Sequence, residues 1–347
     1  TNMVNVQVSQ IASVLRRAAP AALLAAALCV GAVAVLRATE PAVFFRIGTG
    51  GPAGTTFPIG EALAEALRPA FAAEACADPP CPSGSLLPVS QLSNGSLANL
   101  RDLAAGRLEA ALVRADVAHW AARGGPLAGQ AAMPGLRAVA SLYPETLHVV
   151  TLRRGGFRSI ADLRGRRLSL DARGSGTPPL ARRVLAAYGL RDGDFEAHYI
   201  KPGLAIEQLA AGKLDAFFAV GGTPLRSLER LAEIAEVQIL PVDAERLGLD
   251  GDDWSFTVPA TLAAGTYEGV AETPTLATAA LLLVRADLPS ALVGRMTARL
   301  WHAETRARLA EVHPQGGRLR PELAVRGLPV PLHPGAAGYY RELGLLP

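Results

Sequence analysis

Aromatic residues make up only 5% of this 347-residue chain, and lysine occurs only at Lys201 and Lys213. So few rings disfavour a platform on which single-stranded nucleic acid could stack. The 34 basic and 31 acidic residues leave a formal net charge of +3. They form no long block of one sign, so the basic stripe of a nucleic-acid-binding surface is missing and no nucleic-acid partner is expected. Catalytic signatures are missing too. His119, His148, His198, His302, His313 and His333 are scattered without an HxxxH pair. No Gly-x-Ser-x-Gly elbow occurs, and the glycine-flanked Ser175 lacks that spacing. Cysteine is confined to Cys29, Cys76 and Cys81, with no histidine near the latter two to complete a zinc site. No enzyme, metal or cofactor is expected.

Half of the residues are hydrophobic and 19% are charged, which is enough to build full cores in about two domains. Arg16 and Arg17 precede an uncharged apolar run from Ala18 to Leu36, and Arg37 follows it. Basic residues ahead of such a run mark an export segment whose start stays in the cytoplasm. Cleavage after Ala38 would leave the bulky Leu36 where a small residue is wanted, so residues 1–41 read as an export signal or a retained membrane anchor. Export implies an oxidising compartment. There Cys76 and Cys81, close together in the turn "CADPPC", are expected to pair.

From Val43 onward, strand, glycine-rich turn and helix alternate. "VFFRIG" reads as a strand, "EALAEALRPAF" as a helix, "LEAALV" as a buried strand and "ADVAHWAARG" as a helix. "LRAVASLY" and "LHVVTL" read as two strands flanking Pro144, and "ALVGRMTARLWHAETRARLAEV" as helical before a loop-rich tail. Such alternation predicts an α/β fold with largely parallel sheets. The grammar restarts near residue 148. A long apolar segment at "TLATAALLLVRADLP" can carry the chain back. One lobe is therefore expected at 42–147 plus 275–347, the other at 148–274, with hinges near 145 and 275.

Two turns stand out. Gly48 to Thr56 ("GTGGPAGTT") and Gly174 to Pro178 ("GSGTP") each follow a strand and open a helix. Glycine lets a ligand approach the backbone closely, and the helix start offers free N–H groups and partial positive charge. A facing pair of such turns suits a small carboxylate-bearing molecule. Taken singly, their threonines and serines are also ordinary N-caps. The first turn further resembles a dinucleotide fingerprint, Gly48-x-Gly50-x-x-Ala53, but the acidic residue this requires after the next strand falls in a loop at Glu74.

With these segments in place, the chain resembles the TAXI family of solute receptors for tripartite (TRAP) transporters. The resemblance rests on "IGTGGPAGTTFPIG", "NGSLANLRDLAAGRLEAALVRADVA", "SLYPETLHVV", "SIADLRGRRLSL", "GSGT", "LAAGKLDAFF", "AAGTYEG" and "PLHPGAAGYYRELG", which follow in the family's order. It implies a two-lobed periplasmic binding protein fold of the second type. It also implies capture of a small organic acid or acidic amino acid, and delivery to TRAP permease subunits. It places Gly50, Gly51, Thr55, Thr56 and Ser96 at the ligand from the first lobe. Ser175, Gly176 and Thr177 face it from the second, Phe218, Gly221 and Gly222 line the floor, and Tyr267 stands at the rim. The family's Val-Gln-x-Asp is here Val113-Arg114-Ala115-Asp116. A guanidinium replaces a neutral amide, and Arg114 in the cleft would favour a carboxylate. The alternative reading is an extracytoplasmic sensor or scaffold of the same fold, anchored through residues 18–36.

Overall fold

The computed structural model describes residues 43–71, 86–124, 132–249, 251 and 254–347. The export segment and the Cys76–Cys81 pair lie outside the described residues. Among the described residues no helix is long and apolar enough to cross a membrane.

The first half alternates as expected: β1 (Val43–Gly48), α1 (Thr56–Phe71), β2 (Leu86–Gln91), α2 (Ser96–Ala104), β3 (Ala110–Arg114) and α3 (Ala115–Arg123). A long strand, β4 (Leu136–Leu152), leads into β5 (Arg167–Ser169), α4 (Thr177–Ala187), β6 (Glu196–His198), α5 (Pro202–Ala210) and β7 (Ala216–Gly221). Then come α6 (Arg226–Ile234), β8 (Val237–Ile239), α7 (Ala244–Leu247) and β9 (Val258–Leu262). A second long strand, β10 (Thr273–Arg285), returns the chain to α8 (Ser290–Trp301), α9 (Ala303–Val312) and α10 (Pro334–Glu342).

The ten strands of the described residues join one mixed sheet in the order β2-β1-β3-β10-β4-β7-β5-β6, with β8 on β4 and β9 on β10. Pairing is parallel within β1–β3 and within β5–β7. It is antiparallel wherever β4 or β10 takes part. The α/β reading is correct, and the two long strands explain the layout: they alone run through both halves.

Pro144 does not split two strands as expected. β4 is continuous, and Pro144 pairs with Ala279 just after a register irregularity that skips Leu142. A proline that cannot donate to the ladder is tolerated beside such a bulge. The helix expected after residue 290 breaks at His302, whose backbone is extended. The tail, expected to be loop-rich, also holds the helix α10. His333 Nδ1 accepts from the Gly335 N–H at 3.2 Å, and Pro334 occupies the first turn of α10.

The core forms on both faces of the sheet. On one, Ile59, Leu63 and Leu67 of α1 and Val293, Met296 and Leu300 of α8 recur at helical spacing against Phe45 and Ile47. Each such side chain contributes roughly 1.5–3 kcal/mol by leaving water. Trp301 Nε1 donates to the Tyr340 hydroxyl at 2.9 Å, which donates to the Val139 carbonyl at 3.0 Å. That relay pins α10 to β4, and Tyr340 shares one core cluster with Phe45 and Ile47 of β1.

Candidate functional site

In a parallel βα unit each strand runs into a loop that starts a helix, so loops and helix N-termini gather at the carboxyl edge of the sheet. Here they enclose a cavity of about 330 Å³ between the two halves. Its lining includes the start of α1 at Thr55 and Thr56, of α2 at Ser96, of α4 at Thr177 and of α5 at Pro202 and Gly203. Each helix start carries roughly half a positive charge and N–H groups without intrahelical partners.

The halves touch around this cavity. Thr55 Oγ1 donates to the Gly222 carbonyl at 2.9 Å, the Ala98 N–H to the Gly174 carbonyl at 3.0 Å and Lys201 Nζ to the Ser93 carbonyl at 3.2 Å. Glycine makes the approach possible. A Cβ at Gly222 would stand 2.8 Å from Thr55 Cγ2, and one at Gly174 would stand 2.7 Å from Asn94 Cβ. Under the first loop, Asn99 Nδ2 holds the Thr49 carbonyl at 2.7 Å and the Leu112 carbonyl at 2.8 Å. Ser96 Oγ accepts the Arg114 N–H at 3.2 Å. The Gly95–Asn99 block thus builds the wall as well as lining it.

Of the residues singled out from sequence, Gly50, Gly51, Thr55, Thr56, Ser96, Arg114, Ser175, Thr177 and Gly221 surround the cavity. Four do not line it. Gly176 packs behind Arg114, where a Cβ would meet Val117 Cγ2 at 2.4 Å. Gly222 contributes its carbonyl to Thr55. Phe218 is fully buried in the core. Tyr267 is not at a rim: it is 1% exposed, receives the Leu225 N–H at 2.9 Å and lies 2.9 Å from His148 Nε2. Since His148 Nδ1 lies 2.9 Å from the Thr146 carbonyl and donates to it, Nε2 is the acceptor from Tyr267. Burial lowers the His148 pKa from 6.5 to about 4, so this ring stays neutral.

Arg114 reaches the cavity, but its fork is already used. Nε meets Asp116 Oδ1 at 3.0 Å and Nη2 pairs with Oδ2, leaving only Nη1 buried without a hydrogen-bond partner among the described residues. Two acidic residues that sequence reasoning passed over also line the space. Asp171 adopts φ 72°, a left-handed conformation that Asp tolerates better than most residues, and accepts from the Ala172 N–H at 2.7 Å. Burial raises its pKa, while the hydroxyls of Ser175 and Thr177 and the charge of Arg114 pull it back. Glu145, on β4, is 4% exposed. Burial raises it from 4.5 to about 7 against the opposing pull of Arg114, and Asp116 adds to the rise. In the sequence Glu145 falls beside Pro144, between the two expected strands, where no pattern assigns it a role.

PhnD1 from Prochlorococcus marinus, in complex with methylphosphonate, aligns over 87% of this chain and 99% of its own with a TM-score of 0.51 at 8% identity. The periplasmic aliphatic sulphonate binding protein SsuA from Escherichia coli aligns over 88% of this chain and 79% of its own, with a TM-score of 0.44 at 16% identity. At 8% identity the likeness to PhnD1 speaks for the fold alone. The match that covers the site is at the level of family: residues 47–344, from the end of β1 through α10, match the NMT1-like family, and the chain belongs to it.

Proposed function

We propose that this chain is an extracytoplasmic solute-binding protein, not an enzyme. It captures a small organic acid or acidic amino acid between two lobes and delivers it to a TRAP-type permease. The observation that carries this reading is the convergence of four helix N-termini, together with Arg114, on one cavity. Such an arrangement favours a negatively charged group. The lobes are residues 42–147 with 275–347, and residues 148–274, and β4 and β10 are the hinge strands. Ligand in the cavity stabilises the closed arrangement by binding it better than the open one. The contacts supplied by Thr55, Gly174 and Lys201 are what closure makes and opening breaks.

The periplasm is the compartment this reading requires. The TRAP assignment rests on the ordered TAXI-like segments. A thermal-shift screen of carboxylates, acidic amino acids, phosphonates and sulfonates tests the binding function, because a ligand of the native state alone must stabilise it. A saturable shift with one anion class supports the reading, and no shift with any class refutes it. Uptake into vesicles bearing the cognate permease, driven by an ion gradient without ATP, tests the transporter class. Uptake that requires ATP would refute the TRAP assignment.

A further inference from the structure

The cavity combines four helix N-termini with an excess of carboxylates. Arg114 is matched by Asp116, to which it is bidentate. Asp171 and Glu145 remain, and the other cation at the cavity, Lys201, is directed to the Ser93 carbonyl. The Asp171 carboxylate receives the Ala172 N–H and the neighbouring hydroxyls. Glu145 is 4% exposed and lines the same cavity as Arg114, whose guanidinium is committed to Asp116. An ionised Glu145 would oppose a bound anion in the same cavity, because like charges at close range disfavour each other.

We propose that Glu145 is a specificity-determining residue: the site holds an anion beside Arg114 only together with one proton on the Glu145 carboxyl. The inference rests on the solute-binding reading above. The proton comes from solvent and returns to it on release, so the bound state is an anion plus a neutral acid that can donate a hydrogen bond to it.

The surroundings leave few other groups to take that proton. Arg114 and Asp116 face Glu145 from the end of β3 and the start of α3, and Asp171 and Lys201 face the cavity from the other half. The segments of β10 and β7 that pair with β4 near Glu145 carry no titratable side chain. On its own strand, Tyr143 is buried with its ionisation pushed up, and burial keeps His148 neutral, its two ring nitrogens engaged by Thr146 and Tyr267. His313, beside the short turn that packs on β4, has its Nε2 against the Pro224 carbonyl. The rise of the Glu145 pKa to about 7 in the empty site puts its titration where solutes are captured.

The test is calorimetric titration of the full chain with glutarate, methanesulfonate and L-glutamate in buffers of differing ionisation heat. The first two carry no titrating group in the range used, and the third adds an ammonium. Expected is uptake of close to one proton per anion bound at about pH 8, with affinity falling about tenfold per pH unit above about 7. Glu145→Gln, a neutral near-isostere, should bind the same anion without proton uptake and with an affinity independent of pH. Its melting curve serves as the check on folding. Wild-type binding without proton uptake, or a pH slope that survives in Glu145→Gln, overturns the role of Glu145 and leaves the binding reading standing. Binding of L-glutamate alone, with no proton taken up, overturns it in favour of an ammonium at Glu145. A folded wild type that binds none of the three at any pH overturns both readings.

Discussion

Glu145→Gln also makes a prediction that needs no ligand. In the folded protein the carboxyl titrates near 7, and unfolded it titrates near 4.5. The folded state therefore holds the proton more tightly, and its stability falls as pH rises from 4.5 to 7, then levels off. At pH 8 the ionised, buried Glu145 costs about 3 kcal/mol relative to a group that titrates alike in both states. At pH 5 the remaining cost is about 1 kcal/mol. Glutamine carries no charge and avoids the cost at both pH values. The variant should be more stable than wild type by about 3 kcal/mol at pH 8, or about 5 °C in Tm, with the gap shrinking to about 2 °C at pH 5. Wild type alone cannot reveal this, because His148 acts in the opposite direction. Its folded pKa is lowered from 6.5 to about 4, so it contributes stability above 6.5 that is lost as pH falls toward 4. The difference between the two proteins cancels His148. Differential scanning calorimetry of both across that range reads it directly. Parallel curves, or a variant less stable at pH 8, would refute the account of Glu145 as an acid whose burial outweighs the pull of Arg114.

Four further outcomes follow from the same geometry. The double variant Thr55→Ala, Ser175→Ala removes the hydroxyl that bridges to Gly222 and the one that accepts the Thr177 N–H at 3.1 Å. It should fold, and bind at least tenfold more weakly, at about 1 kcal/mol per lost bond; unchanged affinity by calorimetry would count against the cavity as the site. Arg114→Gln should destabilise by about 3–5 kcal/mol because it leaves buried Asp116 without its partner, and adding Asp116→Asn should recover most of that in urea unfolding. Gly222→Ala drives a Cβ into Thr55 and Gln315, so it should hold the halves apart, with small-angle scattering showing a more open protein even at saturating ligand. Tyr267→Phe strands the Leu225 N–H and the His148 acceptor at a cost of about 1–3 kcal/mol, while ligand affinity stays within twofold because the residue lies behind the cavity wall.

Much of the fold was legible because it is written locally. Apolar strands such as "LEAALV", the glycine turns and the helical spacing of Ile59, Leu63 and Leu67 each specify one element. Their order specifies the α/β class. Boundaries failed where long-range pairing overrides the local signal. Pro144 reads as a strand breaker, yet a neighbouring bulge and the partner strand β10 carry β4 through it. The helix at Pro334–Glu342 was legible in principle, since His333 followed by Pro334 is a capping residue ahead of a first-turn proline.

The site divided along a similar line. Residues that belong to turns could be found, because glycine, serine and threonine at a strand–helix junction have a reason to be there on their own. Groups whose role depends on their neighbours could not. The family resemblance implies a rim position for Tyr267, but His148, far away in sequence, gives its hydroxyl a buried partner. Arg114 looked like a free cation, and only the bidentate geometry shows that Asp116, two residues on, takes most of its hydrogen-bonding capacity. Glu145 on a strand is unremarkable until β3, α3 and the turn after β5 close around it. The electrostatic character of the cavity is thus a property of three chain segments brought together, at 114–116, 145 and 171: a reading of Arg114 alone suggests an anion site, whereas Arg114 with Asp116, Asp171 and Glu145 is what supports the proposal of an anion site that also controls a proton.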